Sequence, residues 1–310
     1  MADELFIKYR PKTFKRVIGQ DAAVKQLQAA IKKDALPHQI LLTGPSGVGK
    51  TTICRILRDH LDCGSRDFIE VNCADFRGID MVRDLRNVVN KKPLGGSSRI
   101  WLIDEAHKLT NDAQNALLKL IEEPPRHAYF FLATTEPNKL LKTVQTRVTE
   151  VRLVPMTEES LAELLAYVLG KEEAVLSEDV CSRLVKNSEG SARKMLVVLQ
   201  AVLGCDTEED QLAAIIAADS QNQAITVARA LTNPKMTWAE MSKILKTVDE
   251  EPESLRRLIL GYSASVLVGP QTALHARAHL ICLTFSSNYF DTGKSGLIAD
   301  CYDIFRKPSR

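Results

Sequence analysis

Residues 44–51 form a glycine-rich segment with the composition of a phosphate-binding loop. They read Gly-Pro-Ser-Gly-Val-Gly-Lys-Thr, which matches the pattern G-x-x-x-x-G-K-T and follows a short apolar run. Backbone N–H groups in such a loop can surround phosphate oxygens, and the N-terminus of the following helix adds a favourable dipole. Lys50 is then placed to reach the β- and γ-phosphates, and the Thr51 hydroxyl to ligate Mg²⁺. The residues predicted to bind a nucleotide here are Gly44, Pro45, Ser46, Gly47, Val48, Gly49, Lys50, Thr51 and Thr52.

A second candidate for chemistry is the acidic pair Asp104 and Glu105, which ends the apolar run Ile-Trp-Leu-Ile. A carboxylate at the end of a buried strand can hold a magnesium shell, so Asp104 joins Thr51 as a predicted metal ligand. Glu105 can orient or deprotonate an attacking water. Together the two motifs predict that the chain binds a nucleoside triphosphate with Mg²⁺ and hydrolyses it. His107 has no necessary part in this chemistry and is expected to be a packing residue.

These residues require a parallel sheet to position them. From residue 1 to about residue 155, short apolar runs alternate with helical patterns. Such alternation predicts an α/β fold with helices on both faces of a parallel sheet, and folds of this kind bind ligands at the carboxyl ends of their strands. Both nucleotide motifs lie at such ends. The predicted strands are residues 39–43, 68–72, 100–104, 129–134 and 148–154.

Beyond Pro155 the strand pattern disappears and helical patterns take its place. Thr157 is a suitable N-cap with acidic residues in the first turn behind it, and further helices are expected around 180–186 and 191–203. The polar residues 204–211 are a candidate hinge. The predicted domains are an α/β nucleotide-binding domain over 1–155, a helical lid over 156–218 and an all-helical domain over 219–310.

Composition excludes several classes of protein. The chain has 310 residues and a net charge of only +2, so any nucleic-acid contact needs a local basic stripe. No apolar run approaches the roughly 20 residues that span a bilayer, and no secretory signal is evident, so we expect a cytoplasmic location without membrane contact. Seven cysteines without a C-x-x-C pair predict reduced thiols. His275 and His279 have the spacing of a zinc pair but lack the glutamate of a metalloprotease between them.

A series of motifs resembles one protein family. Tyr-Arg-Pro-Lys-Thr-Phe begins at residue 9, Ile-Gly-Gln at 18, Asn-Ala-Leu-Leu-Lys-Leu-Ile-Glu-Glu-Pro-Pro at 115, Phe-Leu-Ala-Thr-Thr-Glu-Pro at 131 and Gly-Ser-Ala-Arg at 190. With the two nucleotide motifs, they make roughly residues 5–200 similar to the ATPase subunits of AAA+ sliding-clamp loaders, among them the γ/τ subunit of bacterial DNA polymerase III. The resemblance implies a AAA+ P-loop domain, a helical lid and a C-terminal helical collar, with ATP and Mg²⁺ as cofactors. The family's zinc-binding cysteine cluster is absent from the sequence.

The resemblance also implies roles for single residues. Thr135 matches the first sensor of the γ-phosphate, and Arg193 matches the second sensor on the lid. Arg147 matches an arginine that acts on the nucleotide of a neighbouring subunit, although its flanking residues differ from the family's Ser-Arg-Cys. A surface salt bridge for Arg147 and a solvated first-turn position for Arg193 are the alternatives. The residues implied to line the adenine pocket are Arg10, Pro11, Val17 and Ile18.

A basic segment between Arg77 and Arg99 is a candidate DNA contact. Six basic residues there outnumber two acidic ones; the basic residues are Arg77, Arg83, Arg86, Lys91, Lys92 and Arg99. In clamp loaders the helix after the second strand faces the DNA, and such contacts to phosphates are independent of sequence and sensitive to salt. The residues that resemble this element are Arg77, Gly78, Ile79 and Arg83. An ordinary solvated helix face is the alternative.

The leading functional hypothesis is a motor subunit of a sliding-clamp loader. ATP binding would open the clamp, and primer-template DNA would trigger hydrolysis and clamp release. The expected partners are a sliding clamp, primer-template DNA and other clamp-loader subunits in a pentameric ring. Alternatives are a helicase, since residues 104–107 spell Asp-Glu-Ala-His, a Holliday-junction motor of the AAA+ class, and a non-catalytic scaffold subunit. A helicase needs a second nucleotide-type domain and a Holliday-junction motor a winged-helix domain, and the sequence after residue 155 indicates neither.

Overall fold

The computed structural model describes residues 4–74, 78–248, 251–269 and 272–306. Its central element is one parallel sheet, whose strands are β1 (Gln39–Thr43), β2 (Phe68–Asn72), β3 (Arg99–Asp104), β4 (Ala128–Thr134) and β5 (Thr149–Arg152). The strand order is β2–β3–β4–β1–β5, with every neighbouring pair parallel. The predicted α/β fold is therefore confirmed, with strand ends displaced by one or two residues. The carboxyl ends of β1, β3 and β4 lie side by side at one edge of the sheet.

Helices connect the strands in the α/β part of the chain. They are α1 (Leu5–Lys8), α2 (Asp21–Lys32), α3 (Lys50–His60), α4 (Ile79–Val89), α5 (Asn111–Glu122) and α6 (Lys142–Gln145). Single turns of 3₁₀ helix occupy Phe14–Arg16, Ala106–Lys108 and Pro137–Lys139. Because α3 begins at Lys50, the glycine-rich segment lies between the end of β1 and the first turn of a helix.

The three central strands, β1, β3 and β4, are buried on both faces because they are apolar at almost every position. Trp101 and Phe130 stack at 5.0 Å in the cluster on one face, together with Leu41 and Ile103. The neighbouring strand positions contribute to the cluster on the other face, and they include Ile40, Leu42, Ile100, Leu102 and Phe131. This two-residue alternation is that of a strand covered on both sides. The alternation fixes the register between neighbouring strands, and the register determines where their carboxyl ends lie relative to one another.

Three further helices follow β5: α7 (Glu158–Glu172), α8 (Glu178–Asn187) and α9 (Ala192–Val202). Each begins with a hydroxyl side chain that accepts a hydrogen bond from a backbone N–H in its first turn, namely Thr157, Ser177 and Ser191. These helices belong to the same compact unit as the sheet, which comprises Met1–Cys205. Helices are thus present after Thr157, around 180–186 and over most of 191–203, where the sequence predicted them.

A second compact unit comprises Asp206–Arg310. Its helices are α10 (Glu208–Thr232), α11 (Trp238–Lys246), α12 (Pro252–Leu267), α13 (Thr272–Thr284) and α14 (Gly293–Arg306). Their apolar faces meet in one core that includes Leu231, Leu255, Ile259, Phe285 and Leu297. The described residues of this unit contain neither a strand nor a sheet.

The division between the units differs from the predicted boundary after residue 218. That position lies within α10, which runs without interruption for 25 residues. The polar segment before α10 separates the two units, so the apolar residues 212–218 begin the second unit instead of ending the first. The candidate hinge at 204–211 contains the division. In the described residues no helix combines the length and the apolar character needed to cross a membrane.

Candidate functional site

A cleft in the first unit collects most of the predicted nucleotide residues. The cleft is open to solvent, and the space within it and its mouth is about 1040 Å³. Predicted residues that line it are Arg10, Pro11, Val17, Ile18, Ser46, Gly47, Val48, Gly49, Lys50, Thr51, Thr52, Asp104, Glu105 and Arg193. They come from the N-terminal segment, the glycine-rich loop, the end of β3 and α9. The strand ends, a helix N-terminus and the lid therefore face one space.

The glycine-rich loop has a backbone that only glycine adopts readily. Gly44, Gly47 and Gly49 have φ angles of 141°, 78° and 108°. A Cβ at Gly44 would collide with the Leu153 carbonyl, and a Cβ at Gly47 would collide with Ser191 Oγ at the start of α9. The loop is therefore packed against both the chain directly after β5 and the first turn of the lid helix. Its shape is set by close approach as well as by φ.

Lys50 is the buried cation of the cleft. Its residue is 7% exposed, and Nζ donates to the carbonyls of Gly44 and Pro45, each at 2.7 Å. Burial lowers the pKa of Lys50, an effect that the carboxylates of Glu105 and Asp104 oppose. Gly44 and Pro45 do not line the cleft. Their carbonyls instead hold the Lys50 ammonium group at the loop.

The acidic pair lies at the end of β3 and lines the same cleft as the loop. Asp104 Oδ1 accepts a hydrogen bond from the Glu105 N–H at 2.9 Å. Glu105 has a left-handed backbone with φ 52°, a conformation that costs a non-glycine residue of order 1–3 kcal/mol and occurs often at functional sites. The described residues contain no cluster of three or more His, Cys, Asp or Glu side chains fit for a metal. A magnesium ion here would use Thr51, Asp104 and oxygens of its phosphate ligand, which suits the preference of Mg²⁺ for few protein ligands.

His107 is buried as predicted, but its contacts are polar. Its side chain is 7% exposed, with Nδ1 3.4 Å from Glu105 Oε2 and Nε2 3.3 Å from Glu136 Oε1. Nδ1 also lies 3.0 Å from the Thr134 hydroxyl. The imidazole is therefore a packed side chain that also has polar partners, which the sequence did not indicate. Nothing in the local sequence indicates these contacts, because Thr134 and Glu136 belong to the neighbouring strand and the turn after it.

The N-terminal segment contributes more to the cleft than the sequence indicated. Lining residues that were not predicted are Phe6, Tyr9, Arg16, Gln20, Ile53, Met156, Leu164, Ala192 and Leu196. Gln20 is 4% exposed, and its side-chain amide both donates to the Val154 carbonyl at 2.7 Å and accepts from the Val154 N–H at 3.1 Å. This pair joins the N-terminal segment to the chain after β5. The position of Gln20 within the Ile-Gly-Gln motif was an available signal, whereas the apolar lid residues read as ordinary core positions.

Two arginines on the cleft come from opposite ends of the first unit. The Arg193 guanidinium lies over the Phe6 ring, 5.4 Å from its centroid, and the Arg193 N–H donates to the Gly47 carbonyl at 3.4 Å. Burial lowers the pKa of Arg10, and the charges of Arg55 and Arg193 lower it further. The cleft therefore concentrates positive charge. An anionic ligand bound there would reduce the repulsion between the arginine side chains.

The remaining two implied catalytic residues do not line the cleft. Thr135 directly follows β4, between Thr134 and Glu136. Arg147 follows α6, where its guanidinium pairs with Glu122 at 2.7 Å and donates to the Thr143 carbonyl at 2.9 Å. Its side chain is 38% exposed, so it is accessible at the surface of the first unit.

The candidate DNA element is only partly described. Arg77 lies outside the described residues, and Ile79 begins α4. Gly78 is the exposed N-cap of α4, and Arg83 is exposed with an ion pair to Asp80 at 2.8 Å. Arg86, Lys91 and Lys92 are also exposed.

Arg99 was wrongly counted in the basic stripe. Its residue is 6% exposed, and its guanidinium donates to Asp67 Oδ1 through Nε at 2.8 Å and Nη2 at 2.6 Å. It also donates to the Val88 carbonyl in the last turn of α4 and to the carbonyls of Lys91 and Lys92 in the segment between α4 and β3. A guanidinium occupied in this way holds that segment in place and is not available to a phosphate.

Comparisons with known proteins show related sequences over most of the chain. The family model described as DNA polymerase III, delta subunit, matches residues 65–157, and the sigma-54 interaction domain model matches residues 17–83. A replication factor C small subunit from Archaeoglobus fulgidus is 32% identical over 262 residues, which cover 83% of this chain and 79% of the relative. DNA polymerase III subunit gamma/tau from Mycobacterium tuberculosis is 33% identical over 222 residues, covering 64% of this chain. The matched region is 38% of that relative's length.

Solved structures share the fold at lower sequence identity. The Holliday junction branch migration motor RuvB from Thermotoga maritima superposes with a TM-score of 0.57 over 77% of this chain and 86% of that protein, at 19% identity. A mutant of the same protein gives a TM-score of 0.56 at 18% identity, over the same shares of the two chains. Identity this low bears on the fold alone.

Proposed function

This chain belongs to the clamp-loader family of AAA+ proteins, and from that premise we propose that it is an ATPase subunit of a sliding-clamp loader. The observation that carries the proposal is the convergence of Lys50, Thr51, Asp104 and Glu105 on one cleft. A cation, a hydroxyl and two carboxylates are the groups that phosphoryl transfer from a nucleoside triphosphate requires. They come from a helix N-terminus and a strand end, so their placement depends on rigid elements.

The residues of the cleft fit a magnesium–nucleotide complex. Mg²⁺, when bound, would neutralise charge on the phosphates. Backbone N–H groups of the loop and the N-terminus of α3 would bind phosphate oxygens. The glycines have no side chains that would collide with the residues packed against the loop. Lys50 already stands at the loop, held by the carbonyls of Gly44 and Pro45. Thr51 and Asp104 would complete the metal shell.

Glu105 would be the base in hydrolysis. Its carboxylate lines the cleft beside Asp104, and a carboxylate there can orient a water and accept its proton, with a typical contribution of about 10²–10⁴ in rate. Thr135 would sense the γ-phosphate from the end of β4. Arg193 would leave its position over Phe6 to contact phosphate and draw the lid helices towards the loop, since the first turn of α9 already contacts Gly47.

The N-terminal segment would bind the nucleobase. Arg10, Pro11, Val17 and Ile18 line the cleft together with Phe6 and Tyr9. Flat apolar surface of this kind suits stacking against a purine. The Gln20–Val154 hydrogen bonds would then couple a movement of this segment on nucleotide binding to the chain after β5.

Arg147 would act on the nucleotide of a neighbouring subunit. It does not line the cleft of its own chain, and its exposed guanidinium is held by the surface carboxylate of Glu122 and by the Thr143 carbonyl. Surface ion pairs are worth only about 0–1 kcal/mol, so Arg147 could be withdrawn from this pair at little cost. An arginine supplied from another subunit raises phosphoryl-transfer rates by about 10³–10⁵. An isolated subunit would then hydrolyse ATP slowly.

The proposed partners are a sliding clamp, primer-template DNA and other subunits in a pentameric ring, with the second unit as the collar. DNA phosphates would meet the N-terminus of α4 and the exposed Arg83, Arg86, Lys91 and Lys92. Contacts of this type are sequence-independent, and binding would weaken with salt at a slope of about −0.9 per phosphate contact. A cytoplasmic location remains a prediction.

The experiment that tests the proposal is a steady-state ATPase assay of the chain with its neighbouring replication proteins. Each sample is measured with and without a sliding clamp and with and without primer-template DNA. Turnover that rises sharply only when both are present is the expected result. Stimulation by single-stranded DNA in the absence of a clamp, together with duplex unwinding, would instead point to another AAA+ DNA motor of the helicase or Holliday-junction type.

A further inference from the structure

One imidazole connects the ends of two neighbouring strands at the cleft. His107 belongs to the turn after β3, and its other contacts lie at and after the end of β4. β3 and β4 are adjacent and parallel, so their carboxyl ends lie side by side. The ring is almost completely buried between the carboxylates of Glu105 and Glu136. A buried side chain with polar groups on both ring nitrogens has a fixed orientation.

The carboxylate of Glu105 needs such a support. Its backbone is in the left-handed region and its side chain is 31% exposed, so burial does not enclose the carboxylate. Across the part of the chain that the structure describes, His107 is the one side chain within salt-bridge distance of it. A base that orients water must be held within about 0.5 Å of its working position. The imidazole is the group that can do so.

The same imidazole holds the backbone on both sides of Thr135. Thr134 Oγ1 lies 3.0 Å from His107 Nδ1 and accepts a hydrogen bond from the Glu136 N–H, also at 3.0 Å. Glu136 contacts Nε2 and pairs with Lys139 at 2.7 Å. The hydrogen bond from Lys139 lowers the pKa of Glu136, which keeps the carboxylate charged. The turn that carries Thr135 is therefore tied to the ring at two points.

We propose that His107 is a positioning residue that fixes Glu105 relative to the turn carrying Thr135, with Glu136 as the anchor of the imidazole. The inference rests on the proposed ATPase function of the cleft. His107 acts through Glu105 and does not touch the nucleotide. Its loss should therefore slow hydrolysis without weakening nucleotide binding, because binding depends on the glycine-rich loop and Lys50.

The test compares His107→Leu with His107→Gln and with a matched control, His127→Leu. Leucine fills the space of the ring but forms no hydrogen bond, whereas glutamine keeps polar atoms within reach. His127 is a partly buried histidine at the opposite end of β4, where Nε2 contacts the Val89 carbonyl at 3.0 Å. For each variant, the dissociation constant of a fluorescent ATP analogue, the steady-state kcat with clamp and primed DNA, and the melting temperature are measured.

We expect His107→Leu to lower kcat by about 10–100-fold, the usual effect of losing a residue that orients a catalytic group. Its nucleotide dissociation constant should stay within about threefold of the parent. His107→Gln should recover much of the lost rate, and His127→Leu should leave kcat unchanged. A kcat for His107→Leu equal to that of His127→Leu, or a loss of affinity as large as the loss of rate, would overturn the inference.

Amide hydrogen exchange supplies a readout that does not depend on ATP hydrolysis. The Lys108 amide donates to the Glu105 carbonyl and the Glu136 amide to Thr134 Oγ1. His107→Leu should raise the exchange rates of these two amides by at least about tenfold, because loss of the imidazole contacts makes local opening easier. His127→Leu should not change them. Unchanged exchange in His107→Leu would refute the positioning role even if the rate fell. A parent chain that neither binds nor hydrolyses ATP would instead refute the proposed function, and the exchange result would still decide whether His107 holds these turns.

Discussion

Arg99→Met should destabilise the first unit strongly, because it leaves a buried charge without its partner. Asp67 is fully buried, and the Arg99 guanidinium makes two of its hydrogen bonds. The other two come from the backbone N–H groups of Leu94 and Gly95, at 2.7 and 2.8 Å. Burial alone would raise the pKa of Asp67, but the hydrogen bonds from Arg99, Gly95 and Leu94 outweigh burial and lower it. The carboxylate is therefore ionised in the folded chain and remains so at neutral pH.

Removal of one partner of a buried ion pair costs about 3–5 kcal/mol. For a unit of the size of Met1–Cys205, this corresponds to a decrease in melting temperature of about 6–20 °C. Urea unfolding can be followed by the fluorescence of Trp101, which is buried in the sheet core. The only other tryptophan of the sequence is Trp238, so a Trp238→Phe background makes the signal specific to the first unit.

Arg83→Met is the matched control for this experiment. Arg83 also pairs with an aspartate, Asp80, but the two side chains are 65% and 86% exposed. An exposed pair contributes about 0–1 kcal/mol. The double variant Arg99→Met/Asp67→Asn should regain part of the loss, since it removes the buried charge. If Arg99→Met lost no more stability than Arg83→Met, the assignment of Arg99 as the buried organiser of this segment would be refuted.

Four further perturbations test the cleft and the second unit. Glu105→Gln should keep nucleotide affinity and lower kcat by about 10²–10⁴; near-normal turnover would remove Glu105 as the base. Arg147→Ala should leave the nucleotide affinity of the isolated chain unchanged and lower turnover of the assembled complex by about 10³–10⁵, and equal activity would place the trans-acting arginine elsewhere. Gly47→Ala should weaken nucleotide binding at least about tenfold, because a Cβ meets Ser191 and the φ of 78° is strained; an unchanged dissociation constant would contradict that packing. Glu253 has a pKa lowered to about 2, first by the hydrogen bond from Arg256, so its stabilisation of the second unit is complete above its ordinary pKa of about 4.5 and is lost as pH falls towards 2. Glu253→Gln should flatten the acid side of the unfolding profile, and an unchanged profile would show that other carboxylates dominate.

Short sequence patterns were sufficient to predict the strands of the sheet and the glycine-rich loop at the centre of the cleft. The strands could be predicted because a strand covered on both faces needs apolar residues throughout its length, and Leu41 and Ile103 belong to such runs. The loop could be predicted because its function requires glycines at fixed intervals before Lys50. Both signals lie within fewer than about ten consecutive residues, so no knowledge of distant contacts was needed.

The limits of the sequence appear where a polar residue has partners far along the chain. Arg99 reads as one more member of a basic stripe, yet Asp67, 32 positions away, removes it from the surface. The two compact units divide after Cys205, and apolar spacing alone does not show that α10 continues through residue 218. In both cases the deciding contact is set by packing between elements.

The local sequence determined which chemistry the cleft can perform, since residue type and spacing fix the loop, the strand ends and the acidic pair. The folded chain decided which side chains support that chemistry. The sequence around His107 and Gln20 does not indicate their partners. Glu136 and Val154 come close to these side chains only because the sheet and the N-terminal segment fold together. Hydrogen bonds between residues far apart in sequence form only when the helices and strands that carry them pack against each other. That packing depends on the whole core and not on a local sequence pattern.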